Sequence, residues 1–332
     1  HDSKDCPPPK WLTQQVAATL GYDPWLHTPD ELTALQKACE KVGSLLIPCD
    51  TNPIDSIWIN QPEPPVAPVV HHPLCYAGES SQAKRERIGQ KLAESDADAA
   101  VLTAPDSIAW LLNIRGGDVP YAPLPLCFAL LYADGQVALF LDERKYGPDL
   151  LEYLGEAVAI HAPAQFGAML DKLGQAEKSV LVDPKHSAIW VFNRLEAAGA
   201  KLVTGTDPCV LPKACKNQLE IAGARAAHRR DGIALTRFLH WLNEQAAAGD
   251  IDEIQAAERL AQFRADTGLL HDLSFDTISA AGAHGALAHY QVTPQTNAQI
   301  QPGTLYLVDS GGQYLDGTTD VTRTIAIGTP TP

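Results

Sequence analysis

Residues 305–327 read LYLVDSGGQYLDGTTDVTRTIAI, and the rest of the chain is interpreted around them. Leu305, Tyr306, Leu307 and Val308 form an apolar run closed by Gly311 and Gly312, the pattern of a buried strand. Asp316-Gly317 is a turn dipeptide, and the return from Thr318 to Ile327 is rich in β-branched residues. An antiparallel return brings Asp309, at the end of one strand, close to Asp320, near the start of the other. Two like charges in a partly desolvated place are unfavourable unless a cation or a shared proton lies between them. Two readings are open. Each aspartate bonds backbone beside a glycine, or the pair holds hard divalent ions such as Mn²⁺ some ~3.5–4 Å apart, activating a water for attack on a carbonyl. For the second reading two aspartates are too few ligands, and no His, Asp or Glu occurs from 321 to 332.

Further candidates lie upstream. His289, in Ala-His-Tyr, falls on a short predicted strand, Ala286 to Tyr290; it is either a satisfied histidine or part of the aspartate site. His284, in a glycine-rich loop, reads as structural. Arg323, three residues after Asp320, is expected to brace the acidic strands. Arg115 and Asp118 in NIRGGD form a local ion pair or reach an adjoining domain. Asp276, in a predicted strand Ser274–Ile278, reads as backbone-bonded.

Working outward, Asn217 to Ala248 has helical spacing, with Leu219, Ile221, Ile233, Leu235, Phe238, Leu239 and Leu242 on one face. Asp252-Glu253 opens a second helix that Gly268 ends. Residues 78–211 alternate helices and strands and predict a mostly parallel or mixed sheet covered by helices. Its strands are predicted at Ala99–Thr103, Leu126–Tyr132, Val137–Leu141, Ala157–Ile160 and Ser179–Val182, with Asn113–Asp118 a polar loop. Gln61–Pro68 is proline-rich and reads as a stiff linker. Before it, helices are predicted at Lys10–Leu20 and from Thr28 to about Val42, a strand at Ser44–Pro48 and a turn at Ile54–Trp58. Three segments result: 1–72, the remnant of a first domain with its linker; 73–211, a second α/β domain; and 212–332, half of an α+β domain. The opening HDSKDC, without Met, and the closing TPTP give the expectation of a fragment truncated at both ends.

At 332 residues with 45% apolar and 20% charged residues, the composition is that of a soluble globular protein. The net charge of −15 argues against nucleic-acid or anionic-membrane partners. No apolar run has the ~18–20 residues of a membrane span, and no signal-peptide pattern opens the chain. There is no GxGxxG or Walker lysine, so nucleotide binding is unsupported. Seven widely spaced cysteines, with no CxxC, predict buried free thiols and a cytoplasmic location.

SFDTISAAGAHGALAHY followed by LYLVDSGGQYLDGTTDVTRTIAIGTPT closely resembles the metal-dependent Xaa-Pro aminopeptidases. These aminopeptidase P enzymes belong to peptidase family M24 in the creatinase "pita-bread" superfamily, and the long three-domain form fits best. PKACKNQLEIAGARAAHRRDGIAL resembles the entry into that family's catalytic domain. WLLNIRGGDVPYAPL and GYDPWLHTP are similar to parts of its second and first domains. The resemblance implies an α/β and α+β multidomain fold: creatinase N-terminal-like domains, then the first half of a pita-bread domain. It implies two Mn²⁺ ions, with Asp309 and Asp320 as the first two of five ligands and Asp320 bridging, and His289 at the substrate. The implied activity removes the N-terminal residue from Xaa-Pro peptides through a metal-bridging hydroxide, and a homodimer is common in the family. The family's other ligands, one His and two Glu, lie further on than this sequence reaches, so the polypeptide is expected to be inactive and to bind metal weakly. The alternatives are another M24 peptidase, such as a prolidase, and a non-catalytic pita-bread module that binds peptides or proteins.

Overall fold

The computed structural model of the chain describes residues 6–246 and 249–330. Ala248, at the expected end of the long helix, lies outside them, as do the first five residues and the closing Thr331-Pro332. The chain divides into two compact units. One comprises His1–His72, Glu79–Asp118 and Leu124–Cys215, the other Pro73–Gly78, Val119–Pro123 and Lys216–Pro332.

The first unit opens with β1 (Thr19–Tyr22) and β2 (Leu45–Pro48), paired in parallel. The helix Pro29–Lys41 connects them, held by a reciprocal cap between Thr28 and Glu31. The helix expected over Lys10–Leu20 ends at Leu12. There the Thr13 hydroxyl bonds back to the Lys10 carbonyl at 2.7 Å, and Ala18 instead accepts from Leu45 N–H, drawing the chain into β1. Ile54–Trp58, expected as a turn, is a short helix over Pro53–Ile57 capped by Asn52.

Next come β3 (Val70–His71), β4 (Ala99–Leu102), β5 (Ile114–Arg115), β6 (Phe128–Tyr132), β7 (Val137–Phe140), β8 (Val158–His161), β9 (Ser179–Val182) and β10 (Lys201–Thr204). Six of these form a mixed sheet in the order β10-β9-β4-β6-β7-β8, as the alternation of elements predicted. Every residue of β4 is buried because the sheet has a core on each face. Ala100, Leu102, Leu131 and Leu139 enter one core; Ala99, Val101, Leu130 and Phe140 enter the other, with Phe166, Leu170, Val191 and Leu195. The edge strand β10 and the helix Ile189–Ala198 were not assigned from sequence. The loop expected at Asn113–Asp118 contains β5, because buried Ile114 pairs with His71. Asp118 forms its ion pair with Lys145 at 2.8 Å.

The second unit is built on two helices. Asn217 caps the helix Gln218–Gln245 and Asp252 caps the helix Glu253–Ala265, each with a reciprocal partner three residues on. The buried stripe of the longer helix is Ala227, Asp231, Ala234, Leu235, Phe238 and Leu242, while Leu219 and Ile233, expected on the apolar face, are exposed. Strands follow: β11 (Asp272–Leu273), β12 (Ile278–Ala281), β13 (Thr304–Ser310), β14 (Gly312–Tyr314), β15 (Gly317–Thr318) and β16 (Val321–Ile327). They form two antiparallel sheets, β12-β13-β16 and β11-β14-β15. Tyr306, Val308 and Ile327 meet Phe238, Leu242, Ala256 and Leu260 in one core.

The strand expected at Ser274–Ile278 begins only at Ile278, and Asp276 lies in irregular chain before it. Ala286–Tyr290 is not a strand. A 3₁₀ helix over Gly282–Ala286 runs into a turn in which Leu287 N–H bonds His284 and Tyr290 N–H bonds Leu287. These local bonds satisfy the backbone without a strand partner. All seven cysteines are free; Cys39, Cys127 and Cys209 are buried, but Cys75 and Cys215 are exposed. Among the described residues no helix is long and apolar enough to cross a membrane.

Candidate metal centre

The decisive stretch folds as two linked antiparallel pairs. β13 pairs with β16, with Asp309 opposite Thr322 and Ser310 opposite Val321. Beyond that point the chain switches sheets: β14 and β15 pair through a turn at Leu315-Asp316, one residue before the expected Asp316-Gly317 because Gly317 pairs with Tyr314, and β14 also pairs with β11. Gly311 sits at the switch. A Cβ there would lie 1.9 Å from the Thr319 carbonyl oxygen and 2.2 Å from Ser274 Oγ, so only glycine fits.

Alternation along β13 separates two roles. Tyr306, Val308 and Ser310 are buried, while Leu305, Leu307 and Asp309 point to the other face. Asp309 therefore does not displace a core side chain; it stands on the face away from the two helices, between Ile278 of β12 and Thr322 of β16. Asp320, two residues before Thr322, lies diagonally across on the same face. The two carboxyl groups are within hydrogen-bonding reach of each other. Partial burial, the charge of Asp309 and its hydrogen bond all raise the Asp320 pKa above its usual value.

Asp309 Oδ1 is buried without a hydrogen-bond partner. An ionised carboxylate oxygen in that position is costly unless a cation or a proton completes it. Asp309 and Asp320 thus fit a divalent cation, and they are oxygen donors of the kind that hard ions prefer. Among the described residues no group of three or more His, Cys, Asp and Glu could hold a metal ion, and the two aspartates alone are two donors.

Arg323 does not brace the pair. It is exposed, and its guanidinium bonds the carbonyl of Thr322 at 2.7 Å. In the register it stands opposite buried Val308, on the other face from Asp309.

Two supports were missed from sequence. Arg264, fully buried, makes a two-pronged ion pair with Asp231 at 2.7 and 3.0 Å and donates to Ser310 Oγ at 3.1 Å. The Tyr314 hydroxyl donates to Asp231 at 2.8 Å, so one carboxylate holds residues on both sides of Gly311. Arg230 grips Asp316 at 3.0 and 2.9 Å and keeps that carboxyl below the usual range. The signal for Asp231 was its spacing, four residues after Ala227 and three before Ala234, inside the buried stripe.

His289 is exposed in its turn with φ of 55°, a left-handed backbone that non-glycine residues rarely adopt. Two residues on, Gln291 donates to Asp276 at 3.4 Å, and Tyr121 bonds the same carboxylate. His284 Nδ1 lies 2.8 Å from the buried carboxylate of Glu253.

Comparison with known proteins agrees with this layout. Residues 60–220 match the Creatinase/Prolidase N-terminal domain, and residues 222–332 match Metallopeptidase family M24. Over these residues the chain is similar to the creatinase/prolidase N-terminal domains and to the M24 metallopeptidases. It is 37% identical to a probable Xaa-Pro aminopeptidase P of Aspergillus niger, over 97% of this chain and 54% of that protein. A probable Xaa-Pro aminopeptidase P of Talaromyces marneffei is 34% identical over 97% of this chain and 50% of its own length. The chain therefore spans about half the length of the curated relatives it matches.

The crystal structure of X-prolyl aminopeptidase from Caenorhabditis elegans, described as a cytosolic enzyme with a di-nuclear active site, superposes with a TM-score of 0.90. It is 31% identical, over 97% of this chain and 54% of that one. The Xaa-Pro dipeptidase of Bacillus anthracis shares the fold, with a TM-score of 0.57 and 19% identity over 76% of this chain and 66% of that one.

Proposed function

We propose that this chain contributes to a metal-dependent Xaa-Pro aminopeptidase, with Asp309 and Asp320 as ligands to two divalent ions and His289 facing the peptide substrate. The observation that carries this reading is the buried, unpartnered Asp309 Oδ1 beside Asp320, whose pKa is raised. Divalent ions at such a site, manganese in this reading, supply Lewis-acid polarisation of a peptide carbonyl and a nucleophile at neutral pH.

The chain's own residues do the positioning. Arg264 fixes Ser310 from the core side, and so aims its neighbour Asp309 at the opposite face. In this reading the imidazole of His289, exposed in a turn with left-handed backbone, hydrogen-bonds a substrate oxygen. The cytosolic description of the Caenorhabditis elegans relative supports a cytosolic location here.

Titrating the 332-residue chain with Mn²⁺, followed by electron paramagnetic resonance, tests the ligand assignment. Weak binding that Asp309→Asn abolishes is the expected result, and equal binding by that variant overturns the reading. Two carboxylates cannot hold two ions alone, so the same polypeptide is expected not to cleave an Xaa-Pro dipeptide with added Mn²⁺. Robust turnover would contradict that ligand count.

A further inference from the structure

A buried hydrogen-bond network joins the strand of Asp309 to the turn of His289. It starts on β13, where the hydroxyl of fully buried Tyr306 lies 2.7 Å from Ser279 Oγ. Ser279 donates to the Glu253 carbonyl at 2.6 Å, so Tyr306 is the donor to Ser279.

The Glu253 carboxylate is itself wholly buried and accepts four bonds. Oε1 takes Ala281 N–H at 2.7 Å and His284 Nδ1 at 2.8 Å; Oε2 takes Ala298 N–H and the Tyr290 hydroxyl, each at 3.0 Å. A buried carboxylate needs such a full set of donors. The proton of His284 therefore sits on Nδ1. The Tyr290 ring stacks on His284 with centroids 4.4 Å apart.

Tyr290 directly follows His289. We propose that Glu253, His284 and Tyr290 are positioning residues for His289, pinning the 287–290 turn and fixing its offset from the Asp309–Asp320 pair. The proposal rests on the reading of His289 as the substrate-facing histidine. A left-handed non-glycine residue relaxes toward ordinary backbone unless its surroundings hold it. Backbone bonds from Leu287 N–H to His284 at 3.0 Å and from Tyr290 N–H to Leu287 at 3.2 Å close the turn, and the Tyr290 side chain anchors it on Glu253, on His284 and, at 3.2 Å, on the Thr296 hydroxyl. The network also reaches Tyr306, three residues before Asp309 on the same strand, so both halves of the proposed site hang on one residue: the turn on the Glu253 carboxylate, and β13, through Ser279, on the Glu253 backbone carbonyl.

Selective isotope labelling of histidine and tyrosine in the whole chain gives the test. In the wild type, long-range ¹⁵N correlation is expected to show His284 protonated at Nδ1, and His289 to give the intense intraresidue HN–Hα contact of a positive φ. Tyr290→Phe deletes one oxygen and keeps the ring. It is expected to weaken that contact and to speed amide exchange at position 290 on the order of tenfold, the scale of one lost hydrogen bond to a charged group. His284→Ala should act in the same direction, and His284→Asn, which keeps a donor for Glu253, should restore part of the loss.

Unchanged His289 and position-290 signals in Tyr290→Phe, with the core amides of β13 still protected, overturn the proposal. So does a wild-type His284 protonated only at Nε2. If His284→Ala fails to fold, Tyr290→Phe decides. None of these signals depends on turnover or metal, so they stand or fall separately from the Asp309→Asn binding result.

Discussion

Replacing Asp231 with alanine removes both acceptors of Arg264 Nε and Nη2 and the partner of the Tyr314 hydroxyl. Arg264 stays fully buried with only the Ser310 hydroxyl, since its Nη1 already lacks a partner. Stranding one charge of a buried pair costs about 3–5 kcal/mol, more than the pair's own net contribution. Replacing both partners with apolar residues, as in Asp231→Leu with Arg264→Met, strands no charge and should cost no more than about 1–2 kcal/mol. With each single replacement stranding one charge at about 3–5 kcal/mol, the coupling between the two sites is therefore expected to be at least about 4 kcal/mol. Urea unfolding measures it, with 5-fluorotryptophan as the probe, because Trp241 is the one tryptophan of the second unit. A cost below about 1 kcal/mol for Asp231→Ala, or a coupling indistinguishable from zero, would show that this pair does not hold β13 and β14.

Three further outcomes are expected. Burial, followed by the charges of Arg115 and Lys84, pushes the His72 imidazole down to about 4. The folded state then binds fewer protons than the unfolded chain between about 4 and 6.5, so stability is complete above about 6.5 and falls by up to about 3 kcal/mol as pH drops through that window. His72→Gln should flatten this slope in urea midpoints taken from pH 4 to 7; an unchanged slope would refute it. Gly311→Ala drives a methyl into the Thr319 carbonyl and should cost the second unit about 3 kcal/mol or more, read by the same fluorine signal. The Asp316 carboxyl is held below its usual range first by its hydrogen bond from Arg230, so this stabilisation is present above the ordinary carboxylate pKa and lost as pH falls below it. Arg230→Met should remove about 1–2 kcal/mol at neutral pH and little in acid, and equal losses at both would argue against the pair.

Periodicity carried most of the fold. The strands of the mixed sheet were legible because both faces are covered and their residues are continuously apolar, as in Ala99–Leu102. Start residues located the helices at Thr28 and Asp252, and apolar spacing located the one that Asn217 caps. What escaped was polar and buried. Glu253, Asp231 and Arg264 were given no buried role from sequence, yet each occupies a core position because its partner lies 28 or more residues away, beyond any local pattern. The turn at His289 was hidden by a segment whose composition suits a strand, where local hydrogen bonds prevail over propensity. The closeness of Asp309 and Asp320 was legible in the hairpin pattern, but the face on which Asp309 stands is resolved only by the register.

The separation of faces on β13 has a consequence for how this site can change. One strand is both the wall of a core, through Tyr306 and Val308, and the carrier of Asp309. Inserting or deleting a single residue between Tyr306 and Asp309 would put the carboxylate and the aromatic ring on the same face, so that either Asp309 enters the core or Tyr306 leaves it. The site can therefore be tuned by replacing side chains at alternate positions, but the length of the strand is locked.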